Sequence, residues 1–361
     1  MKIKIVSPSG AIDPQYIDRA TEVLRGWGYE VSEAAHARGK VGRFAASDEE
    51  RVADIAEALT DPAVDMILCA RGGYGLQRII DRIPPIQKPI IGFSDITALH
   101  MLAAQTGQAT IHAMMCKGIS ETKGLSPSPC VLHPSSFLQQ ALAQEPLHYE
   151  LPAHPLNRLG KTKGTLVGGN LSVLYGLQGT AYGLDERLRI KDKRLHSSVD
   201  EGARITGERL NSADSETSET KVISPSSCVL DPSSNESPSS LSPSLCREGW
   251  GGSPLILFIE DVGERHYHID RMMNNLRLSG VLANLSGLIV GQFSDCEDDP
   301  SMGCTVYETI RRAVEPYHYP VVFNFPAGHV EENMPLYLNA PVEMDVQEDY
   351  SSSIHSFFKS S

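Results

Sequence analysis

Short apolar runs and amphipathic stretches take turns along the first part of the chain. Lys2 to Val6 reads as a buried strand, because a brief apolar run suits a strand covered on both faces. Pro14 to Trp27 reads as an amphipathic helix that ends near Gly28. Tyr29 to Ser32 predicts a short strand. Ser47 opens a helix to about Leu59, with Glu50 three residues on completing a capping box. Val64 to Cys69 predicts a second apolar strand, and the loop Arg71-Gly72-Gly73-Tyr74-Gly75 follows it. A helix is expected around Leu76 to Arg82, a strand over Pro89 to Gly92, and a helix over Ile96 to Ala104 opened by Ser94-Asp95. Repeated β-α-β units of this length predict a parallel sheet with helices on both faces.

His154 to Arg158 reads as a crossing between domains, and Gly164 to Asp185 predicts one helix that starts near Asn170. From about Arg187 to Ser253 the pattern breaks into charged residues and then a Ser- and Pro-rich run. Such a segment buries too little apolar surface to offset its ordering entropy, so an inserted disordered loop is expected over 187–253. Ser128 to Ser136 echoes Ser226 to Ser234, a match too short for an architectural repeat. Pattern returns at Pro254, with a strand over Leu255 to Ile259 that ends in Glu260-Asp261. A helix over Ile269 to Ser279, a strand over Leu285 to Gln292 and a helix over Thr305 to Val314 follow. A strand over Val321 to Phe325 leads into Pro326-Ala327-Gly328-His329, and Leu336 to Val346 predicts a strand pair. The division expected is an N-terminal α/β domain over 1–153 and a C-terminal mixed α/β domain over 164–361 that holds the insertion.

Composition narrows the function classes. The 361 residues carry a formal net charge of -13, which argues against a nucleic-acid partner. An anionic substrate would need local cations supplied by the site itself. No apolar run approaches the roughly 18 residues of a membrane span, and the N-terminus lacks the apolar region of a signal peptide. Seven cysteines without C-x-x-C spacing suit free thiols in a reducing compartment. A cytoplasmic protein without a membrane partner is expected.

The sharpest candidate for chemistry is Ile90-Ile91-Gly92-Phe93-Ser94-Asp95-Ile96. A strand ends, a glycine permits a tight turn, and a serine stands where a helix starts, a placement that exposes a hydroxyl above the sheet edge. Ile96 occupies the last position of a G-x-S-x-G pattern, so the serine reads equally well as a helix cap. The Arg71 to Gly75 loop offers backbone N–H groups to a ligand, or is an ordinary glycine turn. A serine hydroxyl needs a base to become a nucleophile, and a histidine oriented by a carboxylate does this best near neutral pH. His329, in a Pro-Ala-Gly turn after a strand, and Glu260, at the end of an apolar strand, stand out. Each alone also fits a solvated surface residue. His266, His268 and Asp270 have ligand-like spacing, but alternate spacing at a helix start more often gives a loop and a cap, and no metal is expected.

As an ordered set, Arg71 to Gly75, Ile91 to Leu99, Gly168 to Leu174, Leu257 to Glu264, Ile269 to Leu276, Gly287 to Phe293 and Phe325 to His329 resemble the LD-carboxypeptidase family of serine peptidases. The resemblance implies an α/β fold with a flavodoxin/Rossmann-like parallel-sheet N-terminal domain, and a Ser94, Glu260 and His329 triad. It also implies oxyanion donors in the backbone N–H groups of Asp95 and of Gly72 or Gly73, no cofactor, and a homodimer. The implied substrate is a murein tetrapeptide, cut before its terminal D-alanine during peptidoglycan recycling. Arg71 and Arg271 are candidates for its carboxylate, with structural salt bridges as the alternative, and Asn170 for a polar contact, with helix capping as the alternative. The chain departs from the family at His112-Ala113-Met114-Met115, where His-Gly-Pro-Met is common. Two rival readings fit the same residues, a self-immunity peptidase that cleaves a peptide–nucleotide and an inactive muropeptide binder.

Overall fold

The computed structural model describes residues 1–122, 134–185 and 254–358. The insertion expected over 187–253 lies outside the described residues, as does most of the short echo. The chain first lays down β1 (Lys2–Val6), α1 (Pro14–Gly26), β2 (Glu30–Glu33), α2 (Asp48–Thr60), β3 (Met66–Cys69) and β4 (Ile90–Gly92). Next come α3 (Thr97–Ala103), β5 (Thr110–His112), α4 (Cys116–Glu121), α5 (Pro134–Leu142) and β6 (Leu147–Leu151). Then follow β7 (Gly160–Asn170), α6 (Leu171–Leu177), β8 (Leu255–Val262), α7 (His266–Leu278) and β9 (Leu285–Ser294). The rest is α8 (Val306–Ala313), β10 (Val321–Val322), β11 (Leu336–Leu338), β12 (Ala340–Val346) and β13 (Ser352–Ser356).

Among the described residues these strands make two sheets, ordered β11-β5-β4-β3-β1-β2 and β10-β9-β8-β7-β12-β13-β6. The α/β class read from the sequence is the class observed. In the first sheet β1 to β5 pair in parallel, and β11 adds one antiparallel edge. In the second, β7 to β10 pair in parallel and β12, β13 and β6 extend it antiparallel. Ile3, Ile5, Ile67, Leu68, Ile90 and Ile91 are all buried, as parallel strands covered on both faces must be. The capping box expected at Ser47 and Glu50 is present at the start of α2. No helix among the described residues is long and apolar enough to cross a membrane.

Three local expectations fail for identifiable reasons. Leu76 to Arg82 forms two 3-10 turns, Leu76–Arg78 and Ile80–Arg82, broken at Ile79 with φ -130°. Adjacent β-branched isoleucines and the coming Pro84-Pro85 disfavour a continuous α-helix there. The long strand β7 escapes the pattern because its first half, Gly160 to Gly164, is rich in Gly and Lys, which are depleted in strands. The tail does not form a strand pair. β11 joins β5 in the first sheet, and β12 joins β7 and β13 in the second. Asn339 makes the crossing in a left-handed conformation, φ 58°, and its amide donates to the His100 (2.9 Å) and Gln108 (3.3 Å) carbonyls. Asparagine is the residue that tolerates that conformation best after glycine. β6 crosses in the other sense, from the early part of the chain into the second sheet beside β13.

Candidate active site

Because β3 and β4 are parallel neighbours, with Ile67 opposite Ile90 and Leu68 opposite Ile91, the loops leaving their carboxyl ends lie side by side. One carries Gly72 and the other carries Ser94. Ser94 is half-buried with φ 67°, a left-handed conformation that costs a non-glycine residue about 1 kcal/mol. It follows Phe93 after the end of β4, as the first residue of the short 3-10 turn Ser94–Ile96 that opens α3. Gly72 has to be a glycine here. A Cβ placed on it would stand 2.8 Å from the Ser94 Cβ and 3.1 Å from its Oγ.

Buried polar groups fasten the two loops. The Asp95 carboxylate accepts hydrogen bonds from the Ser9 hydroxyl and from the Leu76 N–H (3.0 Å). Burial raises its carboxyl above the ordinary value, against those two bonds. The fully buried Arg51 guanidinium donates to the Pro8 carbonyl (2.6 Å) and the Gly75 carbonyl (3.2 Å) and pairs with Asp48. These bonds satisfy a charge that would otherwise be costly to bury and fix the glycine loop from behind.

The second sheet supplies the other half of the site. β8 carries Glu260 and Asp261 and continues to Val262, and both carboxylates are buried, Glu260 at 0% exposure. The pairing of β8 with β9 shifts register between Ile259 and Asp261, and such irregularities re-aim side chains beside active sites. Glu260 Oε2 lies 2.8 Å from His329 Nδ1. A carboxylate can only accept, so Nδ1 carries the hydrogen and Nε2 is left as the basic nitrogen. Gly328 brings the histidine in at φ 133°, and a Cβ on it would stand 3.0 Å from Glu260 Oε2. Burial lowers the affinity of His329 for a proton. The hydrogen bond to Glu260 and the charges of Glu260 and Asp261 outweigh it, and the imidazole pKa ends above its ordinary 6.5. Asp261 is itself pushed up to about 7, first by burial and then by the charge of Glu260.

Ser94 and His329 both line a cavity of about 1160 Å³. The Phe93 ring packs edge-on against His329, with centroids 4.9 Å apart. No hydrogen bond joins Ser94 to His329 in this structure; the hydrogen bond His329 makes through Nδ1 is to Glu260. Gly72, Gly73 and Arg71 also line the cavity. Arg71 is exposed, with Nη1 donating to the Ala11 carbonyl at 2.6 Å.

Two sequence candidates do not reach the cavity. Arg271 is exposed on α7, 5.5 Å above the Tyr267 ring. Asn170 is the N-cap of α6. Its amide donates to Asp261 (2.9 Å), and its backbone N–H donates to Thr97 Oγ1 (2.9 Å) on the helix that follows Ser94. Asn170 therefore ties the serine side of the site to the carboxylate side. Of the metal-like trio, His266 bonds Thr309 and the Asp299 N–H, and His268 bonds Glu264.

Sequence reasoning passed over Asp261, whose only signal was a second carboxylate inside an apolar strand. It also passed over Phe93 and over Lys117, Glu121, Glu331 and Glu332, which line the cavity from α4 and from the loop after His329. Nothing in local pattern brings those segments together.

The family model described as the LD-carboxypeptidase N-terminal domain matches residues 3–113, and that of the LD-carboxypeptidase C-terminal domain matches residues 246–344. A probable murein peptide carboxypeptidase of Bacillus subtilis strain 168 is 26% identical, over 96% of this chain and 89% of its own length. A crystal structure of muramoyltetrapeptide carboxypeptidase from Oxalobacter formigenes superposes with a TM-score of 0.70 at 21% identity, covering 99% of both chains. The microcin C7 self immunity protein, solved in complex with aspartyl sulfamoyl adenosine, superposes with a TM-score of 0.68 at 17% identity, over 99% of this chain and 96% of its own.

Proposed function

This chain belongs to the LD-carboxypeptidase family, and from that premise we propose that it hydrolyses the bond before the terminal D-alanine of a murein tetrapeptide, with Ser94 as nucleophile. The observation that carries the reading is the Glu260–His329 hydrogen bond of 2.8 Å beside a cavity that Ser94 also lines. His329 Nε2 takes the Ser94 proton as Oγ bonds to the scissile carbonyl carbon. The backbone N–H groups of Asp95 and of Gly72 or Gly73 receive the oxyanion, a contribution of about 3 kcal/mol per donor in comparable sites. His329 returns the proton to the departing amine as the C–N bond breaks. It then draws a proton from water, which attacks the acyl-serine and regenerates the hydroxyl. Glu260 holds the imidazole in the required tautomer and stabilises its cation. Arg71, which lines the cavity, supplies a cation for the substrate carboxylate. Every proton moves between groups named here, so the scheme calls on no cofactor.

Mass spectrometry of a tetrapeptide ending in D-alanine, before and after incubation, tests this directly. Loss of a single alanine from the C-terminus is expected. Cleavage at another bond, or an unchanged peptide, would replace the reading.

The pH profile provides a second check. His329 must be neutral to act as a base, and its pKa is raised above 6.5. The acid limb of kcat/KM is therefore expected to inflect above 6.5, with activity lost as pH falls through it. The limb belongs to the interacting Asp261 and His329 pair rather than to one residue. An inflection below 6.5 would contradict the arrangement.

A further inference from the structure

A second cavity, of about 590 Å³, adjoins the first. Ile12, Asp13, Arg71 and Gly73 line both, so the two are contiguous. We propose that this second cavity is an anion subsite, which holds a multiply charged group of the substrate, phosphate or clustered carboxylate, while the scissile bond lies at Ser94. The inference rests on the peptidase reading for the identity of the substrate, and on the cavity alone for the anion.

The lining is basic in a chain that is strongly acidic. Arg38, Lys40, Arg43 and Arg71 face the cavity, although the sequence has 32 Lys and Arg against 45 Asp and Glu. Arg38 is neutralised, with bonds to Glu33 (2.6 Å) and Asp18 (2.5 Å). Lys40, Arg43 and Arg71 form no salt bridge among the described residues, and the carboxylate that feels the Arg43 charge is the buried Asp95, which is held by Ser9 and Leu76. The one carboxylate in the lining, Asp13, is occupied as the N-cap of α1 and by the Gln15 side chain. The Arg43 guanidinium lies 5.3 Å from the Tyr74 ring centroid, which holds a planar cation over the cavity. Elsewhere the chain pairs its cations freely, as Lys4 does with Glu57, Arg78 with Asp48 and Lys161 with Asp345. Unpaired like charges around one concavity repel each other, and an anion between them relieves the repulsion.

The location matters as much as the charge. The glycine loop that packs against Ser94 is the wall between the two cavities, since Gly73 and Arg71 line both. An anion in the second cavity is therefore one loop away from the nucleophile, within reach of another part of the same peptide. Binding energy collected there, remote from the reacting carbonyl, is available to position the scissile bond.

The test uses the full chain and tetrapeptides with a common scissile end. One has its remote carboxylates amidated, one keeps them free, and one carries an added phosphate ester away from the scissile bond. For the wild type, KM is expected to be lower for a remotely charged substrate than for the amidated one. In the Lys40→Gln/Arg43→Gln double variant, the ratio of those two KM values should collapse by about tenfold at constant kcat, the size expected for two partly exposed charges. High salt should shrink the wild-type ratio in the same way. The arm that shows the ratio, free carboxylate or phosphate, identifies the anion. A ratio the double variant leaves unchanged, or wild-type KM values independent of remote charge, would overturn the inference. If no tetrapeptide is cleaved, the peptidase reading fails by itself. Titration of wild type and double variant with inorganic phosphate and with a tricarboxylate then decides the subsite. Saturable binding lost in the variant supports it, and absence of saturable binding to either probe refutes it.

Discussion

Ser94→Ala should lower kcat by about four to six orders of magnitude, the loss seen when a nucleophilic serine is removed from a comparable site. The fold should survive. Ser94 Oγ makes no hydrogen bond among the described residues, while the Asp95 side chain, which fastens the elbow, is untouched. Alanine inherits the positive φ of 67°, so the backbone strain stays in place. Ser94→Gly gives the complementary result. It should be as inactive, and more stable by about 1 kcal/mol, because glycine adopts that conformation without penalty. Steady-state kinetics and thermal melts on both variants separate chemistry from folding. Turnover that persists in Ser94→Ala would remove the serine from the mechanism.

The second large effect is expected at Glu260. Glu260→Gln keeps the shape of the side chain but removes the charge that fixes the Nδ1–H tautomer of His329. A drop in kcat of about 10⁴ follows, as when the orienting carboxylate of a serine peptidase is made an amide. The same change withdraws the interaction that holds the imidazole pKa up, so the acid limb of the profile should move to lower pH. Stability should not fall in step. Glu260 is fully buried, with Oε1 lacking a hydrogen-bond partner, and burying a charge with so few partners contributes little to folding. A variant with full activity, or an acid limb unmoved, would show that Glu260 acts on something other than His329.

The sequence makes one half of this site legible and conceals the other. The Ser94 elbow could be read locally, because a strand, a tight turn and a helix start are all short-range features. Gly72 could be placed near it only through the rule that loops after adjacent parallel strands meet at one sheet edge. Glu260 reads from pattern alone as a solvated strand end. It is instead interior, because β8 is covered on both faces and the strand continues to Val262. Local pattern marks His329 only as a histidine in a turn after a strand; its partnership with Glu260 is legible through the family resemblance and not through periodicity, because the two lie a long stretch of sequence apart. Asn170 was read correctly as a helix start. Its bonds to Thr97 and Asp261 depend on which sheet edges face each other. Arg271, a cation beside a plausible motif, is exposed on α7 over the Tyr267 ring, a placement that local pattern does not encode.

The exchange of strands between the sheets bears on synthesis. A nascent chain that has just emerged past β5 carries Ser94 on a sheet whose β5 edge is bare, because Leu336–Leu338 has not yet been translated. The imidazole and its carboxylate are also still to come. The first sheet therefore waits for a strand from the far end of the chain, whereas β6, which the second sheet takes from the early part, is already made before β7 emerges, so completion of the Ser94 half belongs to the end of synthesis.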